Sequence, residues 1–279
     1  MWQLTKIELF KIFKKPRTYI AFAAIAAIIF LVQLAFYIDG DSYINLLFRS
    51  FESSFVIEGN IMNGYFIFFI ILQTLLVHVP LLVSLVAGDM VAGEANMGTL
   101  RLLVTKPISR TSIMISKFFA ACVYSILLLS FMAVLGLLGS MLIFGTSDLM
   151  VFKSDTVLLI DRADVLWRYF AAYGFAGLSM ITVAALAFLF SVFAENSIGP
   201  IIAAMSVIIV LTILTTMDIP FFNNMKPYLF TNHMLNWKGF FDRPVDKGEV
   251  LKSALFLLGH IAFFVSLSIY IFRKKDILS

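Results

Sequence analysis

Six separate runs of mainly apolar residues recur along 279 positions, and each is long enough to cross a hydrocarbon core of about 30 Å. A chain with that pattern has the bilayer for a solvent. Hydrocarbon offers no water to backbone N–H and C=O groups, so a spanning segment must be a helix or one strand of a closed barrel. Barrel strands would alternate apolar and polar over about ten residues, whereas these runs are continuous. The sequence therefore predicts an all-α integral membrane protein, one transmembrane unit over 1–279, with spans at about 18–38, 61–87, 113–144, 165–194, 201–217 and 250–272. Composition agrees: 14% of residues are charged, where a soluble domain carries about a quarter.

The connecting segments have distinct characters. Residues 1–16 predict an amphipathic helix lying along the membrane surface, with Gln3, Glu8, Lys11, Lys14 and Lys15 on one arc and Trp2, Leu9, Ile12 and Phe13 opposite. Leu4 and Ile7 interrupt the polar arc, which leaves part of that face to pack on other helices. Phe36, Tyr37, Ile38 and Asp39 offer no small-residue cleavage site, so the first span is read as uncleaved. Ile44, Leu47, Phe48, Phe51 and Phe55 recur at helical spacing and predict a short amphipathic helix on the outer surface. Residues 145–164 read as an outer loop. The fourth span is rich in small residues, among them Ala171, Ala172, Gly174, Ala176, Gly177 and Ala184, which let helices approach closely in lipid. Glu195, Asn196 and Ser197 form a second, tight inner turn before Pro200. Residues 218–249, with Pro220, Pro227, Trp237 and Pro244, predict short outer helices before the last span.

Orientation follows from Lys and Arg. With the N-terminus inside, the inner segments carry Lys6, Lys11, Lys14, Lys15, Arg17, Arg101, Lys106, Arg110, Lys117, Arg273, Lys274 and Lys275, twelve against nine in the outer segments. This predicts a multi-pass protein of the inner, cytoplasmic membrane with both termini in the cytoplasm. The abundant Phe residues lie in apolar runs, not on a clustered basic face, which excludes nucleic-acid binding. Cys122 stands alone and allows neither an intrachain disulfide nor a thiolate cluster.

Phosphate-binding loops need a lysine after the second glycine. The strings Gly88 to Gly93 and Gly93 to Gly98 are followed by Glu94 and by Thr99 and Leu100, so no ATP site is encoded. Zinc-hydrolase and nucleophile-elbow motifs are missing too. The chain is expected to be no enzyme and to hold no cofactor or metal. His233 and Met234 lack a third ligand.

One inner stretch is conspicuous: Gly88-Asp-Met-Val-Ala-Gly-Glu94-Ala-Asn-Met97-Gly98-Thr99-Leu100-Arg101-Leu-Leu103-Val-Thr-Lys106-Pro107-Ile-Ser109-Arg110, with Lys117 beyond it. It reads as a helix over about 93–104 with Met97, Leu100 and Leu103 on one face and Glu94 at its rim. Pro107 stops it and Ser109 caps the next helix. A docking element and a plain interfacial helix fit it equally well. With its Glu, Gly-Thr-Leu, Leu-Leu, Pro-x-Ser-Arg and downstream Lys, and with the ending Phe272-Arg-Lys-Lys-Asp276-Ile, the chain resembles the type-2 exporter family of ATP-binding-cassette permeases. The family often has a denser charge cluster before Gly-Thr-Leu, where this chain has Ala95, Asn96 and Met97. The resemblance implies a coupling helix seated in a cleft of a separate ATPase subunit, which would bind ATP and Mg. It also implies pairing with a second copy or a homologous permease, in contact with membrane lipid.

Within the spans, Gln73 and His78 are candidates for a translocation path, with helix packing the favoured reading of each. Gln33 reads as an interhelical hydrogen-bond donor. Two other functions fit the same sequence: a membrane scaffold or motility component that transmits mechanical work from an ATPase, and a proton-coupled secondary transporter built on His78.

Overall fold

A computed structural model describes residues 1–48, 61–152, 157–217 and 219–275. The protein is an all-α membrane protein, 83% helical. Among the described residues five helices are long and apolar enough to cross a membrane, or six if two halves of a bent helix count as one span.

Helix α1, Trp2–Lys14, is followed after Lys15 by α2, Pro16–Phe48. Pro16 suits the first helical position, where no backbone N–H is needed. The apolar part of α2 ends near Gly40, and Asp39 leaves helical geometry there (φ −143°, ψ 42°) before the helix resumes. Phe51 and Phe55, two of the five residues of the expected outer stripe, lie outside the described residues.

Helix α3, Gly64–Ala87, starts on Asn63, whose Oδ1 accepts from the Tyr65 and Phe66 amides. Its halves, Gly64–Thr74 and His78–Ala87, meet at 53°. Pro80 supplies the cause, since its ring displaces the carbonyl four residues back and it has no N–H to donate. Helices α4, Asp89–Asn96, and α5, Thr99–Val104, follow as a bent pair, called the elbow below. Ser109 caps α6, Arg110–Ala133, as the sequence predicts. A single π turn, Val134–Leu138, then leads into α7, Gly139–Phe144. Gln33 of α2 accounts for that turn: its Nε2 points at the Gly136 carbonyl (3.4 Å) and at Ser140 Oγ (3.1 Å), so a side chain enters the hydrogen-bond ladder.

The outer loop expected over 145–164 is instead partly a β-hairpin, β1 Leu149–Phe152 against β2 Val157–Ile160. Leu149, Val151 and Ile160 are buried in it. Four-residue strands are too short for alternation to show against neighbouring aspartates.

Helix α8, Arg162–Phe193, is the axis of the fold and packs on α3, α6, α9 (Ile198–Thr216) and the last helix, α12 (Lys247–Lys274). Of its most apolar stretch 78% is buried, against 22–33% in the other long spans. Ala172, Ala176, Ala184, Ala185 and Ala187 allow that closeness. Gly174 and Gly177 take no part in it, because a Cβ on either would meet open space.

The expected short helices precede the last span: α10 Pro220–Asn223, α11 Phe230–Met234, and 3₁₀ turns at Lys226–Tyr228 and Leu235–Phe241. Buried Arg168 of α8 holds them, donating to Asp164 and to the Phe240 and Asp242 carbonyls. Helix α12, Lys247–Lys274, closes the chain. Arg110 donates to the carbonyls of Phe272, Arg273 and Lys275, and Lys275 donates to the Val192 carbonyl. The start of α6 and the ends of α8 and α12 therefore meet at one end of the molecule.

Candidate functional site

At that same end, charge is buried. Helix α1 turns Thr5, Glu8 and Ile12 inward and leaves Trp2, Ile7 and Phe10 exposed. The buried stripe falls on the border of the two expected arcs: Leu9 and Phe13 are half-buried, Gln3, Lys6 and Lys14 stay exposed, and Glu8 is left needing partners inside. The partners are Glu94 of α4 and Lys117 of α6. Lys117 is 1% exposed, and its Nζ lies 2.8 Å from both Glu8 Oε2 and Glu94 Oε2. Lys11 Nζ closes the circuit, 2.8 Å from Glu8 Oε1 and 2.7 Å from Glu94 Oε1. Two acids and two bases thus alternate in a ring of zero net charge across three helices. Burying such ions is tolerable only when every charge is paired.

A second knot adjoins the ring. Buried Asp89, first residue of α4, binds Lys15 Nζ at 2.5 Å and an Arg17 guanidinium nitrogen at 2.8 Å, and accepts from Ser197 Oγ in the α8–α9 turn. Gly93 makes room for it, since a Cβ there would collide with the Asp89 carboxylate. Ser191 of α8 accepts from the Val91 and Ala92 amides, at 3.1 and 2.9 Å. Helix α4 is therefore tied to α1, α2, α6, α8 and the α8–α9 turn by polar contacts.

Two expectations need correction. Glu94 is not a solvated rim charge: it is 6% exposed and doubly ion-paired inside the molecule, and Lys117 is likewise internal. Nor do Met97, Leu100 and Leu103 share one face of one helix over 93–104. The chain breaks at Gly98, whose φ of +69° suits glycine, and the helical phase is lost there. Leu100 then turns inward, 4% exposed, while Met97 and Leu102 are 58% and 68% exposed.

The other predicted residues separate into groups. Gly98, Thr99 and Pro107 are exposed at the elbow and Leu103 is half-buried; the Arg101 side chain lies outside the described residues. Ser109 is a cap and Arg110 a clamp on α12. In the second turn Ser197 reaches Asp89, Asn196 accepts from the Gly199 amide, and Glu195 is exposed. Gln73 and His78 lie away from this end, exposed on α3, with His78 Nδ1 2.9 Å from the Thr74 carbonyl of its own helix. Both nitrogens of His233 are engaged, by Ser253 Oγ and the Pro227 carbonyl.

Sequence reasoning assigned Lys11, Lys15 and Arg17 to topology and passed over Asp89 as a site. A signal was there: Glu8 is a lone acid in a basic segment, and Asp89, Glu94 and Lys117 border apolar runs, where an unpaired charge is costly.

A family model described as a protein of unknown function, DUF2705, matches residues 24–278. The chain belongs to that family. The DUF2705 match takes in Asp89, Glu94 and Lys117 and begins beyond Glu8 and Lys11. The chain is also similar to the uncharacterized protein YhcI of Bacillus subtilis strain 168, 26% identical over 201 residues, which is 69% of this chain and 63% of that protein's length.

The ring has a defined pH window. Burial pushes the Glu94 carboxyl up, but the Lys117 charge and the Lys11 hydrogen bond outweigh it and hold the group below its ordinary 4.5. Burial pushes Lys11 down, and its bonds to Glu8 and Glu94 outweigh that and hold it above 10.5. A depressed carboxyl stabilises the fold above its unfolded pKa and stops doing so as pH falls through its folded value. A raised ammonium stabilises below its unfolded pKa and stops as pH rises through its folded value. The contribution of Glu94 and Lys11 is expected to be constant between about pH 5 and about pH 10 and to decline on either side. Tm of the purified chain against pH checks this; a ring-dependent step near neutrality would contradict it.

Proposed function

We propose that this DUF2705 protein is the membrane-spanning permease subunit of an ATP-driven exporter, with ATP and Mg bound by separate ATPase subunits. The observation that carries the reading is the elbow: its root is bound into the spans by buried charge, and its tip leaves Met97 and Leu102 exposed. A force applied at the tip moves α1 and α6 with it. The likeness of Gly88–Arg110 to the coupling segment of type-2 exporters supports the same reading.

A six-span topology fits these contacts. The α1 segment meets α6 at the end where α12 stops, so the number of crossings between them is even. Helix α3 runs from Asn63, bonded to the Asp148 carbonyl beside the hairpin, to Asp89 in the ion-pair knot, and so counts as the sixth span. The excess of Lys and Arg at the elbow end supports a cytoplasmic position for it in an inner-membrane protein. A second copy or a homologous permease completes the assembly, and Gln73 and His78, exposed on α3, line the path. A mechanical scaffold would use the same elbow and differ in having no transported compound.

Co-expression with an ABC-type ATPase subunit from the same genome tests the proposal. A stable complex should form and hydrolyse ATP, with turnover raised by the exported compound, while the chain alone hydrolyses none. ATP hydrolysis by the isolated chain, or no complex with any such subunit, would overturn it.

A further inference from the structure

A groove of about 530 Å³ runs between α1 and the elbow, with Phe10, Met97, Leu102 and Leu103 as its apolar lining and Lys14 and Lys106 exposed along it. Its other basic residues are occupied: Lys11 pairs with Glu8 and Glu94, and Lys15 with Asp89. Lys14 and Lys106 make no ion pair among the described residues, and Lys14 Nζ instead lies 4.7 Å from the Phe10 ring centroid. The groove therefore offers an apolar channel with two uncompensated ammonium groups.

Its depth is set by the elements around it. Span α2 begins at Pro16, α3 ends at Ala87 and α6 begins at Arg110, so the groove sits where hydrocarbon gives way to headgroups. On the outer side of α1, Trp2, Ile7 and Phe10 are exposed beside Lys6 and Lys14, the pattern of a helix lying in the interface. A ligand that is both apolar and anionic, at high concentration at that depth, satisfies both halves of the groove. We infer that the groove binds an anionic phospholipid, its phosphate between Lys14 and Lys106 and part of an acyl chain against Phe10, Met97 and Leu103. Free phosphate would leave the apolar lining wet, and a zwitterionic lipid would leave the two lysines uncompensated. The inference does not rest on the exporter reading. Met97 and Leu102 also belong to the proposed docking tip, so the test uses the chain without a partner.

The full chain is reconstituted in nanodiscs of phosphatidylcholine with phosphatidylglycerol, and retained lipids are counted by native mass spectrometry after extraction. Each lysine near an anionic headgroup favours binding by about fivefold, so the wild type should prefer phosphatidylglycerol by tenfold or more, on the order of two such contacts. Lys14→Glu with Lys106→Glu should abolish the preference, and Lys252→Glu at the other end should retain it. Glycerol phosphate, the headgroup without chains, should not compete. Should the double variant misfold, a photoreactive phosphatidylglycerol on the wild type decides: its acyl label should fall on α1 and α5. An unchanged preference in a folded double variant, labelling elsewhere, or competition by glycerol phosphate would overturn the inference. So would a groove that takes no phosphatidylglycerol and instead holds an acidic protein segment that co-purifies with the chain and is released by salt.

Discussion

Lys117→Met should destabilise the protein by about 3–5 kcal/mol, the usual result of removing one partner from a buried ion pair. The methionine fills the volume without strain, so the loss is electrostatic. Glu8 and Glu94 would face each other with only half-exposed Lys11 between them. One carboxylate must then take up a proton or draw water into the joint. Adding Glu8→Gln removes the surplus charge and should recover most of the loss, because Lys11–Glu94 remains as a neutral pair. Glu94→Lys should be at least as damaging as Lys117→Met, since it puts a third cation beside Lys11 and Lys117. Thermal unfolding of the four purified proteins in one detergent measures these effects. A Lys117→Met Tm equal to wild type would mean that the ring does not hold α1, α4 and α6 together.

The elbow should divide into a structural and a functional half. Leu100→Asp puts a carboxylate where the wild-type side chain is 4% exposed. That should weaken the fold by several kcal/mol whether or not a partner is present. Met97→Asp with Leu102→Asp alters only exposed side chains, and surface changes of this kind stay within about 0.5 kcal/mol per site. Yet if these residues anchor an ATPase, losing both should weaken the complex by about 2 kcal/mol or more, roughly thirtyfold. Unfolding of the chain alone and titration of the partner separate the two halves.

Most of the span pattern was legible, because apolar run length answers directly to bilayer thickness: the long helices lie within a few residues of their expected bounds. So were the Ser109 cap, the helical character of the opening segment and the short helices before the last long helix, which follow from local chemistry. What was not legible depended on contacts between distant segments. Glu8 and Glu94 are 86 positions apart in sequence, and periodicity in either segment says nothing of the other. The register break at Gly98 was hidden for another reason. Met97, Leu100 and Leu103 keep helical spacing, and only the positive φ shows that they do not share a face. The hairpin at Leu149–Ile160 was too short to stand out from its polar surroundings.

The proposed function requires that the exposed tip of the elbow, Met97 and Leu102, receive an ATPase subunit. It is tested most directly by affinity purification of the tagged chain from membranes that also contain an ABC-type ATPase subunit, comparing wild type with Met97→Asp/Leu102→Asp. A stoichiometric complex is expected with wild type, and a folded but partner-free double variant with no ATP turnover. A double variant that keeps both the complex and its ATP turnover would contradict it.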